Sequence, residues 1–88
     1  MKKDMIIEMY GDHDEEGLLF ADGLDDAIIG ICPNSLKIVY SREMVIRCLI
    51  KDDEMSEEDA IEYAEYNTFA AYVGERTPIW VEDLSEIL

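Results

Sequence analysis

Residues 26–53 read DAIIGICPNSLKIVYSREMVIRCLIKDD, and within them the period of the apolar pattern changes from that of strands to that of a helix. The runs 26–32 and 36–40 are rich in β-branched residues and flank turn residues at 33–35, which predicts a β-hairpin. Gly30 inside the first run indicates a bulge or a close backbone contact. After the second run, apolar residues recur at helical spacing, so a strand pair is followed by a helix.

Two helices are predicted after the hairpin. Ser41 can cap a helix over residues 42–53, whose apolar side chains form a wide face. Ser56 begins a capping-box pattern, with Asp in place of the usual Glu three residues later, for a helix over residues 56–73. Gly74 follows as a typical residue just beyond a helix C-terminus.

The remaining segments complete an α+β fold. Short apolar runs at 5–10, 18–22 and 79–81 are predicted to be strands, the last at a sheet edge, and 82–88 a short terminal turn or helix. The prediction is a single domain over residues 1–88. It consists of a small antiparallel sheet with two helices packed on one face.

Composition excludes several classes of protein. The chain has 88 residues and a formal net charge of −15, from 7 basic and 22 acidic side chains. Nucleic acids and anionic membranes need Lys/Arg patches, so direct binding to either is not expected. No apolar run approaches the ~20 residues of a membrane span, and the start does not resemble a signal peptide. A cytoplasmic location is therefore expected.

The acidic residues are concentrated in two stretches. Residues 4–36 and residues 52–75 each contain nine acids and no base. Carboxylates that recur every three or four residues share one helix face and present a polyanion, and DNA offers a comparable density of negative charge. The residues predicted to contact a basic partner are Glu54, Glu57, Glu58, Glu62 and Glu65.

The second half of the predicted helix over 56–73 is almost uncharged. Aromatic residues recur there every three positions and wind around the helix. A helix that is apolar nearly all round is buried on more than one side, so beyond the sheet it must meet the helix over residues 42–53 or a second subunit. We predict a homodimer. The residues predicted to form the dimer interface are Tyr63, Tyr66, Phe69 and Tyr72.

Two clusters of carboxylates could form a metal-binding or catalytic site. Asp12 and Asp14 resemble the opening of a calcium loop, but position twelve of that loop is a glycine where a bidentate Glu is required. Asp22, Asp25 and Asp26 lie at a turn, where three interpretations stay open: strand entry, a partner contact, and a metal or catalytic site. The chain has a single histidine, so a catalytic triad is not expected. We therefore assign no catalytic residue, metal or cofactor.

The cysteines and the tryptophan have structural interpretations. Cys32 and Cys48 each lie in an apolar run without metal-binding spacing, which predicts two buried thiols in a reducing compartment. Trp80 is predicted to be a core residue, and a groove shared with nearby tyrosines is the alternative.

Three segments resemble a family of small acidic proteins that bacteriophages and prophages encode: DGLDDAIIG at 22–30, EEDAIEYAEYN at 57–67 and VGERTPIW at 73–80. The matching residues are Asp22, Gly23, Asp25, Asp26, Ala27, Gly30, Glu58, Ala60, Glu62, Tyr63, Asn67, Val73, Gly74, Thr77, Pro78 and Trp80. The chain departs from the pattern at Asp59, where the family has Glu, and in residues 31–36, which are shorter than the family's loop. The family has no established activity, so the resemblance implies a setting, a phage accessory protein, and no catalytic residues.

These observations predict a non-enzymatic, dimeric, acidic interaction protein in the host cytoplasm. Its partner is expected to be a basic protein, such as a host nuclease or a DNA-binding defence factor. The chain would bind this partner as a polyanion or DNA mimic, or as an inhibitor. A small metal- or ligand-binding protein is the alternative, using Asp12, Asp14, Asp22, Asp25 and Asp26. A structural phage accessory protein is the third possibility.

Overall fold

The predicted hairpin is present at the centre of the fold. The computed structural model describes residues 2–11 and 17–84, with strand β1 at Ile28–Cys32 and strand β2 at Lys37–Ser41. The two strands pair antiparallel, and their register shifts just before Gly30. This bulge confirms the expectation for that glycine, which has no side chain to hold a regular register.

Helix α2 (Arg42–Asp52) begins directly where β2 ends. Ser41 is both the last strand residue and the N-cap, and its Oγ accepts a hydrogen bond from the backbone N–H of Met44 at 3.3 Å. Ser41 is only 2% exposed, so this strand-to-helix corner is part of the interior. The helix predicted over residues 42–53 and its cap are confirmed.

Strand β3 (Ile79–Val81) lies at the sheet edge, as predicted, and runs parallel to β2. The strand order is β1-β2-β3, so the sheet is mostly antiparallel with one parallel pair. A parallel pair requires a long crossover between its strands. Residues 42–78 provide that crossover and contain both predicted helices.

Helix α3 (Glu57–Tyr63) continues as a π-helical turn over Ala64–Thr68. Its start is as predicted, because Ser56 Oγ accepts a hydrogen bond from the backbone N–H of Asp59 at 3.2 Å. In the π-helical turn, the N–H of Phe69 donates to the carbonyl five residues earlier at 2.7 Å. Phe69 follows this wider turn and packs on Trp80, with the ring centroids 5.5 Å apart.

The helix predicted over residues 56–73 ends early, at Thr68. A separate turn follows, in which the N–H of Val73 donates to Thr77 Oγ1 at 3.0 Å. That hydroxyl in turn donates to the carbonyl of Gly74 at 2.6 Å. Gly74 has φ of 111°, so it serves this turn and does not end the helix.

The structure corrects two of the predicted strands. Residues 5–10 belong to helix α1 (Lys2–Tyr10), and residues 18–22 form no strand. Helix α1 buries Ile6 against the core, while Met5 remains 60% exposed. Both runs are short, and each contains one carboxylate, Glu8 or Asp22. An apolar run this short does not specify a strand.

One cluster of side chains forms the core. Helix α2 packs against β2 and α3, and α1 packs against β1. Within the described residues, three helices and a three-stranded sheet share this core, which confirms the α+β class. The buried core residues are Ile6, Leu24, Ala27, Ile28, Ile38, Tyr40, Val45, Leu49, Ala60 and Ala64.

Candidate functional site: the acidic groove between α2 and α3

The five glutamates predicted to contact a partner all lie at the surface. Glu57, Glu58 and Glu62 belong to α3, and Glu65 belongs to the π-helical turn that continues it. Glu54 precedes the helix and has φ of 56°, in the left-handed region. Four of the predicted residues therefore share one helical element, and the fifth lies beside it.

Two of these glutamates line a groove between α2 and α3. Glu57, Ile61 and Glu65, spaced four residues apart, line it from the α3 side. Ile46 and Ile50 line it from α2, and the groove has a volume of about 550 Å³. We call this feature the α2–α3 groove. The other members of the acidic face, Glu58 and Glu62, are not among its lining residues.

The lining of the α2–α3 groove is acidic. It contains two arginines, Arg42 and Arg47, against five carboxylates, which leaves a net charge of −3. The carboxylates are Glu43, Glu57, Glu65, Glu82 and Asp83.

Both arginines already have partners within the chain. Arg47 Nη2 donates to Glu43 Oε1 at 2.6 Å, one helical turn away on α2. The guanidinium group of Arg42 lies 4.4 Å from the ring centroid of Phe69, as a cation–π contact. The groove thus combines exposed isoleucine side chains with carboxylates that outnumber the cations beside them.

The aromatic residues predicted to form a dimer interface do not share one face. A three-residue step advances a side chain by about 300° around a helix, so successive members rotate away from one another. Phe69 packs inside the monomer, with its ring centroid 5.5 Å from that of Trp80. Tyr66 and Tyr72 are 76% and 78% exposed and Tyr63 is 44% exposed. The dimer prediction therefore depends on the three tyrosines, and Tyr72 lies beyond the helix.

The aspartate cluster at the turn before β1 does not converge. The carboxylate of Asp25 lies 3.6 Å from Lys3 Nζ, and Asp22 and Asp26 are exposed. Gly23 has φ of 76°, which fits the turn interpretation. Within the part of the chain that the structure describes, no group of three His, Cys, Asp or Glu side chains could hold a metal ion. The calcium-like loop residues lie outside the described residues: Asp12 and Asp14.

Trp80 is partly buried and packs against the core, where a core position was predicted. Its ring centroid lies 4.9 Å from that of Tyr40, and a cavity of about 280 Å³ lies beside it. Its Nε1 is buried and has no hydrogen-bond partner among the described residues. Because this atom has almost no exposed surface, a molecule in the cavity could not reach it without displacing side chains.

The two cysteines are less buried than the sequence predicted. Cys32 and Cys48 are free thiols and are half-buried, where full burial was predicted. Burial raises the pKa of Cys48, and the charges of Asp52 and Asp26 raise it further. Since the thiolate is the reactive form, the surroundings of Cys48 favour its unreactive thiol at neutral pH.

Sequence reasoning missed the apolar part of the α2–α3 groove. Ile50 and Ile61 are 36% and 37% exposed, and they come from different helices. The available signal was the spacing of Ile61, which lies four residues from Glu57 and four from Glu65. That spacing places the three side chains on one face, but it does not specify which element that face meets.

No protein-family model, curated protein or solved structure matches this chain. Among the described residues, no helix has the length and apolar character that crossing a membrane requires. The function is therefore inferred from the charge and geometry of the surface itself.

Proposed function

We propose that this chain is a non-enzymatic acidic interaction protein that binds a basic protein partner. The observation that carries the proposal is the net charge of −15 together with the exposure of Glu57, Glu58, Glu62 and Glu65 on one helical element. Like charges held close together destabilise a folded chain. A cationic partner relieves that repulsion, so the same charges that weaken the free protein favour the complex.

The partner class that fits is a nucleic-acid-binding protein. Glu57 to Glu65 spans about 12 Å of helix and carries four of the predicted glutamates, or one charge per about 3 Å. A single DNA strand carries one charge per about 3.4 Å of the helix axis. A rigid acidic helix can therefore occupy a basic cleft that normally holds nucleic acid. In the phage setting that the sequence resemblance implies, such a partner is a host nuclease or DNA-binding defence factor in the host cytoplasm.

We also propose that the chain forms a homodimer through Tyr63, Tyr66 and Tyr72. Residues 66–74 contain no charged side chain, so two acidic copies meet there with the least repulsion. The exposure of Tyr66 and Tyr72, at 76% and 78%, shows that the core of one copy does not account for them. A structural phage accessory protein that acts through this surface is the second candidate function, and the same exposure favours it.

Affinity capture from a bacterial host lysate tests the electrostatic proposal. The immobilised chain is washed at about 50 mM and then about 200 mM salt, a range over which phosphate-like contacts weaken steeply. We expect nucleic-acid-binding proteins to be retained at the lower concentration and released at the higher one. Each captured protein, once purified and bound to fluorescently labelled duplex DNA, should then release that DNA when the chain is added.

The control is a variant with glutamine at Glu57, Glu58, Glu62 and Glu65, checked for unchanged circular dichroism. We expect it to bind each captured protein at least about tenfold more weakly, since several charge contacts of up to about 1 kcal/mol are lost. Capture that is indifferent to salt, or undiminished binding by the variant, would show that charge is not the basis of recognition.

A further inference from the structure

We propose that the α2–α3 groove is the docking site for an amphipathic helix of the protein partner, with an apolar stripe flanked by Lys and Arg. This inference rests on the proposed function and deepens it, because it places recognition at one side of the acidic surface. Binding in the groove also requires an apolar stripe on the partner, whereas binding to a pure polyanion mimic would require only positive charge.

The apolar component comes from two facing helices. Ile46 and Ile50, one helical turn apart, line the groove from α2, and Ile61 lines it from α3. Ile50 and Ile61 are more than one third exposed in the free chain. Covering them with an apolar side chain removes that surface from water, which is the main source of affinity in helix-in-groove complexes.

The charged component specifies a cationic occupant. Glu57, Glu65 and Glu82 line the groove and form no ion pair with any described residue. Both arginines beside them are engaged, Arg47 by Glu43 and Arg42 by the ring of Phe69. Lysine or arginine on the flanks of a docked helix would meet carboxylates that lack a cation of their own.

The shape of the groove favours a helix over an extended peptide. Its lining comes from α2, α3 and the residues just after β3, so it presents side chains and no strand edge to pair with. Helix α2 has 11 residues, which corresponds to a length of about 16 Å and to about three turns of a partner helix. A partner helix would use residues at i, i+3 or i+4, and i+7 against the isoleucines.

A synthetic peptide tests this inference directly. The probe is a fluorescent peptide of about 18 residues, or five helical turns, with leucines on one face and lysines on the other. Its binding to the full chain is measured by fluorescence anisotropy at low salt. We expect Ile61→Ser to weaken binding about tenfold and Ile50→Ser to have a similar effect, because each removes apolar surface without changing the charge.

Two double variants with the same net charge separate the groove from the rest of the acidic surface. Glu57→Gln with Glu65→Gln neutralises carboxylates that line the groove, and Glu58→Gln with Glu62→Gln neutralises carboxylates outside it. We expect the first pair to weaken peptide binding several-fold more than the second. Circular dichroism and urea unfolding of every variant distinguish lost binding from lost folding.

The outcomes are distinct. Equal losses from the two glutamine pairs, with no loss from either serine substitution, would overturn the groove as the docking site and leave the proposed electrostatic function standing. Salt-independent capture in the lysate experiment would instead remove the proposed function. If Ile50→Ser or Ile61→Ser converts a dimer to a monomer in light scattering, the occupant is a second copy and the partner-helix proposal is wrong.

Discussion

At the scale of the residue, Tyr40 connects the sheet to the segment that precedes β1. Its side chain is completely buried, and its hydroxyl accepts a hydrogen bond from the backbone N–H of Ala21 at 2.7 Å. Its ring also packs on Trp80, with the centroids 4.9 Å apart. The segment around Ala21 forms no strand, so this hydrogen bond is one of the contacts that hold it on the core.

We expect Tyr40→Phe to lower the free energy of unfolding by about 1 kcal/mol, because the Ala21 N–H loses its acceptor while the ring remains. Urea unfolding followed by circular dichroism measures the change. Tyr72→Phe is the matched control, since Tyr72 is 78% exposed, and its effect should stay within about 0.5 kcal/mol. Equal effects of the two substitutions would contradict the role assigned to the buried hydroxyl.

Wild type and Tyr40→Phe, compared at several pH values, also test the ionisation of Tyr40. Burial raises the pKa of Tyr40 above 10.0, and it outweighs the hydrogen bond from Ala21, which lowers the pKa. Below about pH 10 both the folded and unfolded states keep the proton. As pH rises further, the unfolded state releases the hydroxyl proton before the folded state does, which lowers the free energy of unfolding of the wild type. The stability difference between wild type and Tyr40→Phe should therefore shrink above about pH 10, and a constant difference would exclude this linkage.

At the scale of the element, α2 and α3 begin with equivalent serine caps in different surroundings. Ser41 Oγ accepts from the Met44 N–H at 3.3 Å, and Ser56 Oγ accepts from the Asp59 N–H at 3.2 Å. Ser41 is buried at the junction of β2 and α2, whereas Ser56 is exposed. Water can replace a lost cap at Ser56, but it has little access to Ser41.

We therefore expect Ser41→Ala to cost about 1–2 kcal/mol of unfolding free energy and Ser56→Ala about 0.5–1 kcal/mol. Chemical unfolding of the two variants gives both values. Ser35→Ala is the control, because Ser35 is exposed and uses its backbone carbonyl, not its side chain, to accept from Arg76. If the two cap substitutions cost the same, burial of the cap does not determine its contribution.

At the scale of the whole molecule, the charge is held within a small volume. The net charge of −15 is spread over a fold whose Cα radius of gyration is 13.3 Å. The Debye length grows from about 10 Å at 0.1 M salt to about 30 Å at 0.01 M, and the fold measures 39 × 30 × 20 Å. Charges on opposite sides of the molecule therefore repel one another appreciably only near the lower concentration. Two such molecules also repel each other, which makes self-association dependent on salt.

We expect the chain to be mostly monomeric at about 10 mM salt and increasingly dimeric at about 1 M, because screening removes the repulsion while the contact between tyrosines remains. Multi-angle light scattering at micromolar concentration measures this transition. Replacing Tyr66 and Tyr72 together with serine should keep the chain monomeric at both salt concentrations.

A second exposed apolar patch provides the control for that experiment. Met5 and Met9 on α1 are 60% and 57% exposed, similar in size but far from the tyrosines in the sequence. Their double replacement by serine should leave the salt-dependent dimer intact. A monomer from this variant, or a dimer from the tyrosine variant, would place the interface elsewhere.

The parts of the fold that sequence reasoning predicted well are those formed by near neighbours. The hairpin of 26–40 and the caps at Ser41 and Ser56 depend on hydrogen bonds and turns that span only a few residues. Residues 5–10 form a helix and not the predicted strand, because their short apolar pattern, interrupted at Glu8, fits both periods. The helix after Ser56 starts where predicted but ends at Thr68, and Gly74 belongs to a separate turn.

Sequence patterns alone are enough to establish the charge, the strand pair, the starts of the two main helices and the surface position of the acidic face. Packing in the tertiary structure pairs β3 parallel to β2, brings Phe69 onto Trp80 and places Ile61 opposite α2 across the groove. These features join residues that are far apart in the chain. Such contacts are selected by the packing of the whole core, which overrides the weak local preferences that a sequence pattern records.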